Sequence, residues 1–193
     1  MLKKITFNSP VVLTFAALSL LSLLLGALTG GSTTNRFFCV YRAPFDDILT
    51  YFRFFTHVFG HSGYAHFMGN MVLLLVLGPQ LEERFGSIVL TMMIAVTALV
   101  SGLISFIFTP KTMLLGASGI VFMMIILSSF TGDKKGTLPL TMVLVFFLYI
   151  GGEVVDGIFK SDNISRLTHI VGGICGGFFG YLFSGGKYTT LRE

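Results

Sequence analysis

No Trp, two Cys and only 11% Asp, Glu, Lys and Arg occur among the 193 residues. A soluble domain carries roughly 25% charged residues, so there is too little charge here to cover a water-facing surface. With 53% hydrophobic residues and a mean hydropathy of +0.85, a soluble globular enzyme and a disordered segment are both excluded. The cysteines, Cys39 and Cys175, stand in unlike surroundings and suggest no disulfide framework. The net charge of +4 is too scattered for a nucleic-acid face, and no nucleic-acid partner is expected. What remains is an integral membrane protein whose solvent is the lipid bilayer.

A spanning helix needs about 20 mostly apolar residues. Stretches free of Asp, Glu, Lys and Arg run over 5–35, 54–81, 85–110, 112–132, 136–152 and 167–186. Open sheet edges and lipid-exposed loops cannot cross hydrocarbon, so these stretches predict an all-α bundle of six transmembrane helices. Their expected bounds are 10–30, 64–82, 87–108, 116–132, 137–156 and 167–185, in a single domain over 1–193. An even number puts both termini on one side, with Lys3, Lys4, Arg84, Lys134, Lys135, Lys187 and Arg192. The other side holds six basic residues, three of them in the long first loop, where charge counts for less. Both termini of this multi-pass cell-membrane protein are therefore expected in the cytoplasm. Lys3 and Lys4 ahead of an apolar run also fit a signal-peptide start, but the run is long for one.

The external connection, residues 31–63, is too long for a simple turn. Within it Pro44 opens a segment with Asp46 and Asp47 in its first turn, where a helix prefers acids. Phe45, Leu49, Phe52, Phe55 and Phe59 follow at spacings of three or four, which predicts an amphipathic helix lying in the interface. A loop that only shields the second span would need less.

Polar side chains inside a membrane are costly and therefore informative. Taken singly, each has an ordinary explanation. Ser118, within Leu115-Gly116-Ala117-Ser118-Gly119, fits a packed small-residue face. His169 fits a helix start, and His66 with Asn70, four apart on one face, fits an interhelical hydrogen-bond pair. Topology ties them together. The second, fourth and sixth spans all run inward, and each carries its polar group early, so His66, Asn70, Ser118 and His169 share one depth near the external face. Serine is a weak nucleophile that needs a base within reach, and histidine has the suitable pKa. Gly172, Gly176 and Gly180 on the sixth span, answered by Gly116, Ala117 and Gly119 on the fourth, would let the two backbones close up. The Ser118 backbone N–H, near a helix N-terminus, would join His66 and Asn70 as donors to an oxyanion. No carboxylate falls in that layer, so the reading is a Ser118–His169 dyad that needs no cofactor.

Other chemistries fit less well. His57, His61 and His66 lack an H-E-x-x-H pattern or a Cys or carboxylate at ligand spacing, so no metal is expected. Ile120 and the missing strand exclude the nucleophile elbow of α/β-hydrolases. Glu82, Glu83 and Arg84, followed by Phe85-Gly86-Ser87, read as a helix-ending surface turn.

Over about residues 52–180 the chain resembles the rhomboid intramembrane serine proteases. His61, His66 and Asn70 match their histidine–asparagine pattern. Glu83-Arg84-Phe85-Gly86-Ser87 matches their turn after the second helix, and Gly116-Ala117-Ser118-Gly119 their G-x-S-G nucleophile motif. His169 with Gly172, Gly176 and Gly180 matches their histidine with trailing glycines. The resemblance implies Ser118 as nucleophile, His169 as general base, and an oxyanion hole from His66, Asn70 and the Ser118 N–H. It also implies substrates that are transmembrane helices of other proteins, reaching the site laterally past the fifth helix and beneath the first loop. Three departures stand out: the family's Trp-Arg pair is Phe52-Arg53, still expected to anchor the loop; Thr168 replaces an Ala; and Phe122 replaces a frequent Tyr while still able to stack on His169. A catalytically inactive relative that binds transmembrane clients would be expected to lack Ser118 or His169. A proton-relay transporter would be expected to show internal repeats and midplane acids, whereas Glu153 and Asp156 lie toward the end of the fifth span.

Overall fold

The computed structural model describes residues 7–130 and 163–183 and, between them, positions 140, 144 and 147. The fifth expected span, 137–156, lies outside the described residues apart from those three positions. Among the described residues seven α-helices follow in order: α1 Pro10–Leu28, α2 Ser32–Phe37, α3 Ile48–Thr56, α4 Tyr64–Phe85, α5 Ser87–Phe108, α6 Ser118–Ser129 and α7 Asn163–Phe183. No strand occurs among the described residues; the one extended pairing is an isolated antiparallel bridge between Val40 and Leu114.

Helix α1 starts at Pro10, whose fixed φ suits a first helical position and whose missing N–H is no loss there. The next two N–H groups, of Val11 and Val12, donate to the two carboxylate oxygens of Glu82 at 3.0 and 3.1 Å. Ser87 Oγ donates to the same carboxylate at 2.7 Å. Glu82 is therefore buried at 4% exposure, and the surface turn expected at Glu82–Arg84 is corrected at this residue. Its negative charge answers both the orphan donors and the positive end of α1. Val12 also packs on Gly78, where a Cβ would lie 2.6 Å from Val12 Cγ2, so α1 and α4 cross closely. Gly86, with φ +82°, then turns the chain from α4 into α5.

The external connection is structured. The short helix α2 is an element that its sequence, Ser-Thr-Thr-Asn-Arg-Phe, does not announce by any apolar period. Helix α3 begins at Ile48 rather than Pro44, because the Asp47 side chain caps it by accepting from Leu49 N–H at 3.0 Å. Arg53 of α3, 2% exposed, binds the connection together. Its guanidinium donates to Asp47 Oδ2 at 2.6 Å, Tyr41 Oη at 2.7 Å, Thr50 Oγ1 at 3.1 Å and the Arg36 carbonyl at 3.3 Å. The Leu49 N–H, and after it Arg53, hold the Asp47 carboxyl below the usual carboxylate range.

Buried Val12, Phe15, Leu74, Leu81, Leu90, Met93, Ile120, Met124, Val171 and Phe179 join α1, α4, α5, α6 and α7 in one hydrophobic cluster. Helix α6 is at its centre, with every residue from Gly119 to Ile125 buried. Leu21, Leu24, Leu28, Val72, Val76, Met92 and Ile107 face outward instead, as a lipid-solvated surface requires. Helices α1, α4 and α5 are each long and apolar enough to cross a membrane. The 12 residues of α6 extend about 18 Å, short of the roughly 30 Å of hydrocarbon.

Candidate active site

Ser118 is the first residue of α6 and is half-buried. The helix starts there and not at 116, because Gly116 has φ +120° and Ala117 is the N-cap. The approach to Ser118 is tied to the external connection twice. Leu114 and Val40 exchange both backbone hydrogen bonds at 2.8 Å, and Gly116 N–H donates to the His57 carbonyl at 3.0 Å.

His66 sits in the first turn of α4 with its ring against that approach. A Cβ on Gly116 would lie 2.7 Å from His66 Nε2 and 2.8 Å from Cε1. Only glycine satisfies both the backbone conformation and the space. One turn further along α4, Asn70 is buried, and its Nδ2 donates to the His66 carbonyl at 3.0 Å.

His169 lies on α7 at 7% exposure. Its ring stacks on Phe122, one turn past Ser118, with centroids 4.1 Å apart and planes 10° from parallel. Glycines bring the two helices this close. A Cβ on Gly172 would run into the Gly119 carbonyl oxygen and lie 3.1 Å from Gly119 Cα. At Gly119 a Cβ would be 2.8 Å from Thr168 Cγ2. A turn lower, a Cβ on Gly176 would meet the Met123 carbonyl and lie 3.0 Å from Ile126 Cβ. Backbone thus meets backbone where the first turn of α6 passes the stretch of α7 that carries His169.

His57 and His61, outside the spans, support this layer from the external connection. His57 Nδ1 donates to the Arg53 carbonyl and His61 Nδ1 to the Phe59 carbonyl, both at 3.1 Å. The His61 ring meets the His66 ring edge-on at 5.1 Å. Burial pushes His57 down to about 4; His61 goes to about 4 through burial first and the neighbouring His66 second. Among the described residues no three His, Cys, Asp or Glu side chains are grouped as a metal site needs. An apolar groove of about 500 Å³ between α1, α2 and α3, lined by Leu25, Phe37 and Phe52 among others, contains none of the predicted site residues.

His66 and Asn70 of α4 are thus joined through Gly116, just before α6, to Ser118, Gly119 and Phe122 of α6, against which His169, Gly172 and, a turn lower, Gly176 of α7 pack. The bridge at Val40 and Leu114 has no sequence signal, since neither flank alternates apolar and polar residues. The contacts of Ser62 with His66 have a sequence signal, a serine four residues before a histidine at a helix start.

Comparison with known proteins gives the family of the chain. Over 144 residues, or 67% of the chain, it is 32% identical to rhomboid-related protein 1 of Caenorhabditis elegans. It is 27% identical over 173 residues to rhomboid protease GluP of Bacillus subtilis (strain 168), covering 86% of the chain. Against rhomboid protease GlpG of Salmonella choleraesuis (strain SC-B67) it is 31% identical over 139 residues, 69% of the chain. These matches take in 39%, 33% and 49% of the relatives' own lengths, so the chain spans a half or less of each. The family model described as the Rhomboid domain matches residues 49–186, from α3 past the end of α7. With most of its length under that match and its helices apolar enough to cross a bilayer, this multi-pass membrane protein belongs to the rhomboid family.

Proposed function

We propose that the protein is an intramembrane serine endopeptidase that cuts transmembrane segments of other membrane proteins near their external ends. The observation that carries this reading is the glycine-to-glycine approach of α6 and α7, which puts the His169 ring on Phe122, one turn from Ser118. His169 accepts the Ser118 Oγ proton as Oγ attacks the scissile carbonyl carbon. The carbonyl oxygen becomes an oxyanion facing donors from Ser118 N–H, Asn70 Nδ2 and His66 Nε2. As the tetrahedral species collapses, the C–N bond breaks and His169 returns the proton to the leaving amine. Water then attacks the acyl-serine with His169 again as base, releasing the new carboxylate and restoring Ser118. Every group in this sequence is a side chain or a backbone N–H, so the reaction uses no cofactor and no metal.

The polar layer lies at the external end of the inward-running helices, which favours cleavage close to the outer boundary of the cell membrane. The excess of Lys and Arg on the side of the termini supports a cytoplasmic location for both. Lateral access past the fifth span belongs to the same reading, although that span lies outside the described residues.

A fluorophosphonate, which phosphonylates an activated serine, tests the assignment together with mass analysis of a cleaved single-span substrate. Wild-type protein is expected to label at Ser118 alone and to cut the substrate. Ser118→Ala should abolish both, and His169→Ala should lower both by on the order of 1,000-fold or more. Wild-type labelling rates in His169→Ala would overturn the dyad. Wild-type protein that neither labels nor cleaves would instead be a scaffold that binds transmembrane clients.

A further inference from the structure

We infer that Ser62 is a positioning residue that holds His66 as the tautomer carrying its proton on Nε2, the nitrogen turned toward Gly116. The argument starts from the first turn of α4. Its N-cap is Gly63, which has no side chain to accept from the orphan N–H groups. His66, at the third helical position, reaches back over that turn instead, as the third residue of a capping box does. There its Nδ1 meets two groups of Ser62: the backbone N–H at 3.5 Å and the hydroxyl Oγ at 3.1 Å.

The two contacts are not equivalent. A hydroxyl can donate or accept, but a backbone N–H can only donate. Nδ1 facing that N–H must therefore present its lone pair, and the hydroxyl completes the set by donating as well. In a neutral imidazole the one remaining proton then resides on Nε2. Nε2 is the atom nearest the position that a Cβ on Gly116 would occupy, at 2.7 Å, two residues before Ser118. The same residue thus orients the ring and selects which nitrogen donates toward the nucleophile. His61, edge-on to the same ring at 5.1 Å, closes its other side.

The effect on rate rests on the protease reading above; the tautomer does not. The test accordingly reads the tautomer directly. The chain contains four histidines, so single replacements assign every ring resonance of ¹⁵N-histidine-labelled full-length protein. His66 is expected to show an unprotonated Nδ1 and a protonated Nε2 at pH 7. Ser62→Ala, which keeps the N–H, should leave Nε2 protonated, whereas Ser62→Pro, which removes it, should lower the ratio of Nε2–H to Nδ1–H by about fivefold, the weight of one ordinary hydrogen bond. Substrate cleavage should then show kcat lowered by about the same factor with KM unchanged, because the donor is used only when the oxyanion forms. Ser62→Thr, which keeps both the N–H and the hydroxyl, should match the wild type in both readouts. A proton on Nδ1 in the wild type would overturn the inference, and so would an unchanged His66 tautomer in Ser62→Pro. A wild type that cleaves nothing would refute the protease reading while the spectrum still decided the tautomer.

Discussion

Gly116 answers two demands at once, a backbone φ of +120° and an imidazole where a side chain would stand. Gly63, three residues before His66, answers neither: its φ is extended, and no atom of the described residues lies within 4 Å of its Cβ position. The pair makes a controlled comparison within one site. Gly116→Ala should cost about 1–3 kcal/mol in backbone strain alone and push His66 off the approach to Ser118. A displacement of about 1 Å can lower a rate on the order of 100-fold. Fluorophosphonate labelling of Gly116→Ala should therefore fall by that order, with a lower melting temperature, while Gly63→Ala stays within a few-fold of wild type. Equal labelling of the two variants would show that the contact between Gly116 and His66 does not set the site.

Between helices, close approach comes from only some of the α7 glycines. Gly172 and Gly176 face backbone atoms of α6, Gly180 faces the Phe130 ring, and Gly177 meets nothing within 4 Å among the described residues. A helix gains up to about 1 kcal/mol when Gly becomes Ala, whereas overpacking costs about 1–3 kcal/mol. Gly172→Ala and Gly176→Ala should thus lower both stability and labelling. Gly177→Ala should raise the melting temperature or leave it unchanged, and Gly180→Ala should fall between as Phe130 turns aside. Thermal scans of the four variants check this order; a destabilised Gly177→Ala beside a wild-type Gly172→Ala would reverse it. This stripe was readable from the sequence because glycines four apart in an apolar run have few other uses. The serine, histidines and asparagine were readable because polar residues are rare there and these share a depth. Glu82 was not, because its neighbours Glu83 and Arg84 make a run that looks solvated. What buries it is the start of α1, 70 residues upstream, a pairing that no local pattern carries. Helix α2 and the bridge from Val40 to Leu114 were hidden for the same reason: both depend on what they pack against.

At the scale of the molecule, the external connection and the site are tied into one assembly, since Val40 and His57 hold the backbone at Leu114 and Gly116. The external connection contains two buried histidines, His57 and His61, and their titration makes its stability depend on pH. His57 and His61 are held at about 4 in the folded protein, against 6.5 for an ordinary histidine. Because the folded values are lowered, the unfolded state binds more protons between those limits, and stability rises with pH across the window. The contribution is complete above about pH 6.5 and is lost as pH falls toward 4. For the two rings together it amounts to a few kcal/mol, as an order of magnitude. Asp47, whose carboxyl is held below its ordinary value of 3.8, gives up its share only in stronger acid and so leaves the window to the histidines. The melting temperature of detergent-solubilised protein should thus be flat from pH 8 to about 7 and decline steadily from about 6.5 to 4. The double variant His57→Gln, His61→Gln should start lower, having lost two packed rings, but decline less over the same range. Parallel declines in wild type and double variant would assign the acid sensitivity to other groups. A steeper loss in the wild type would instead place the pH limit of the site in the external connection that holds its backbone.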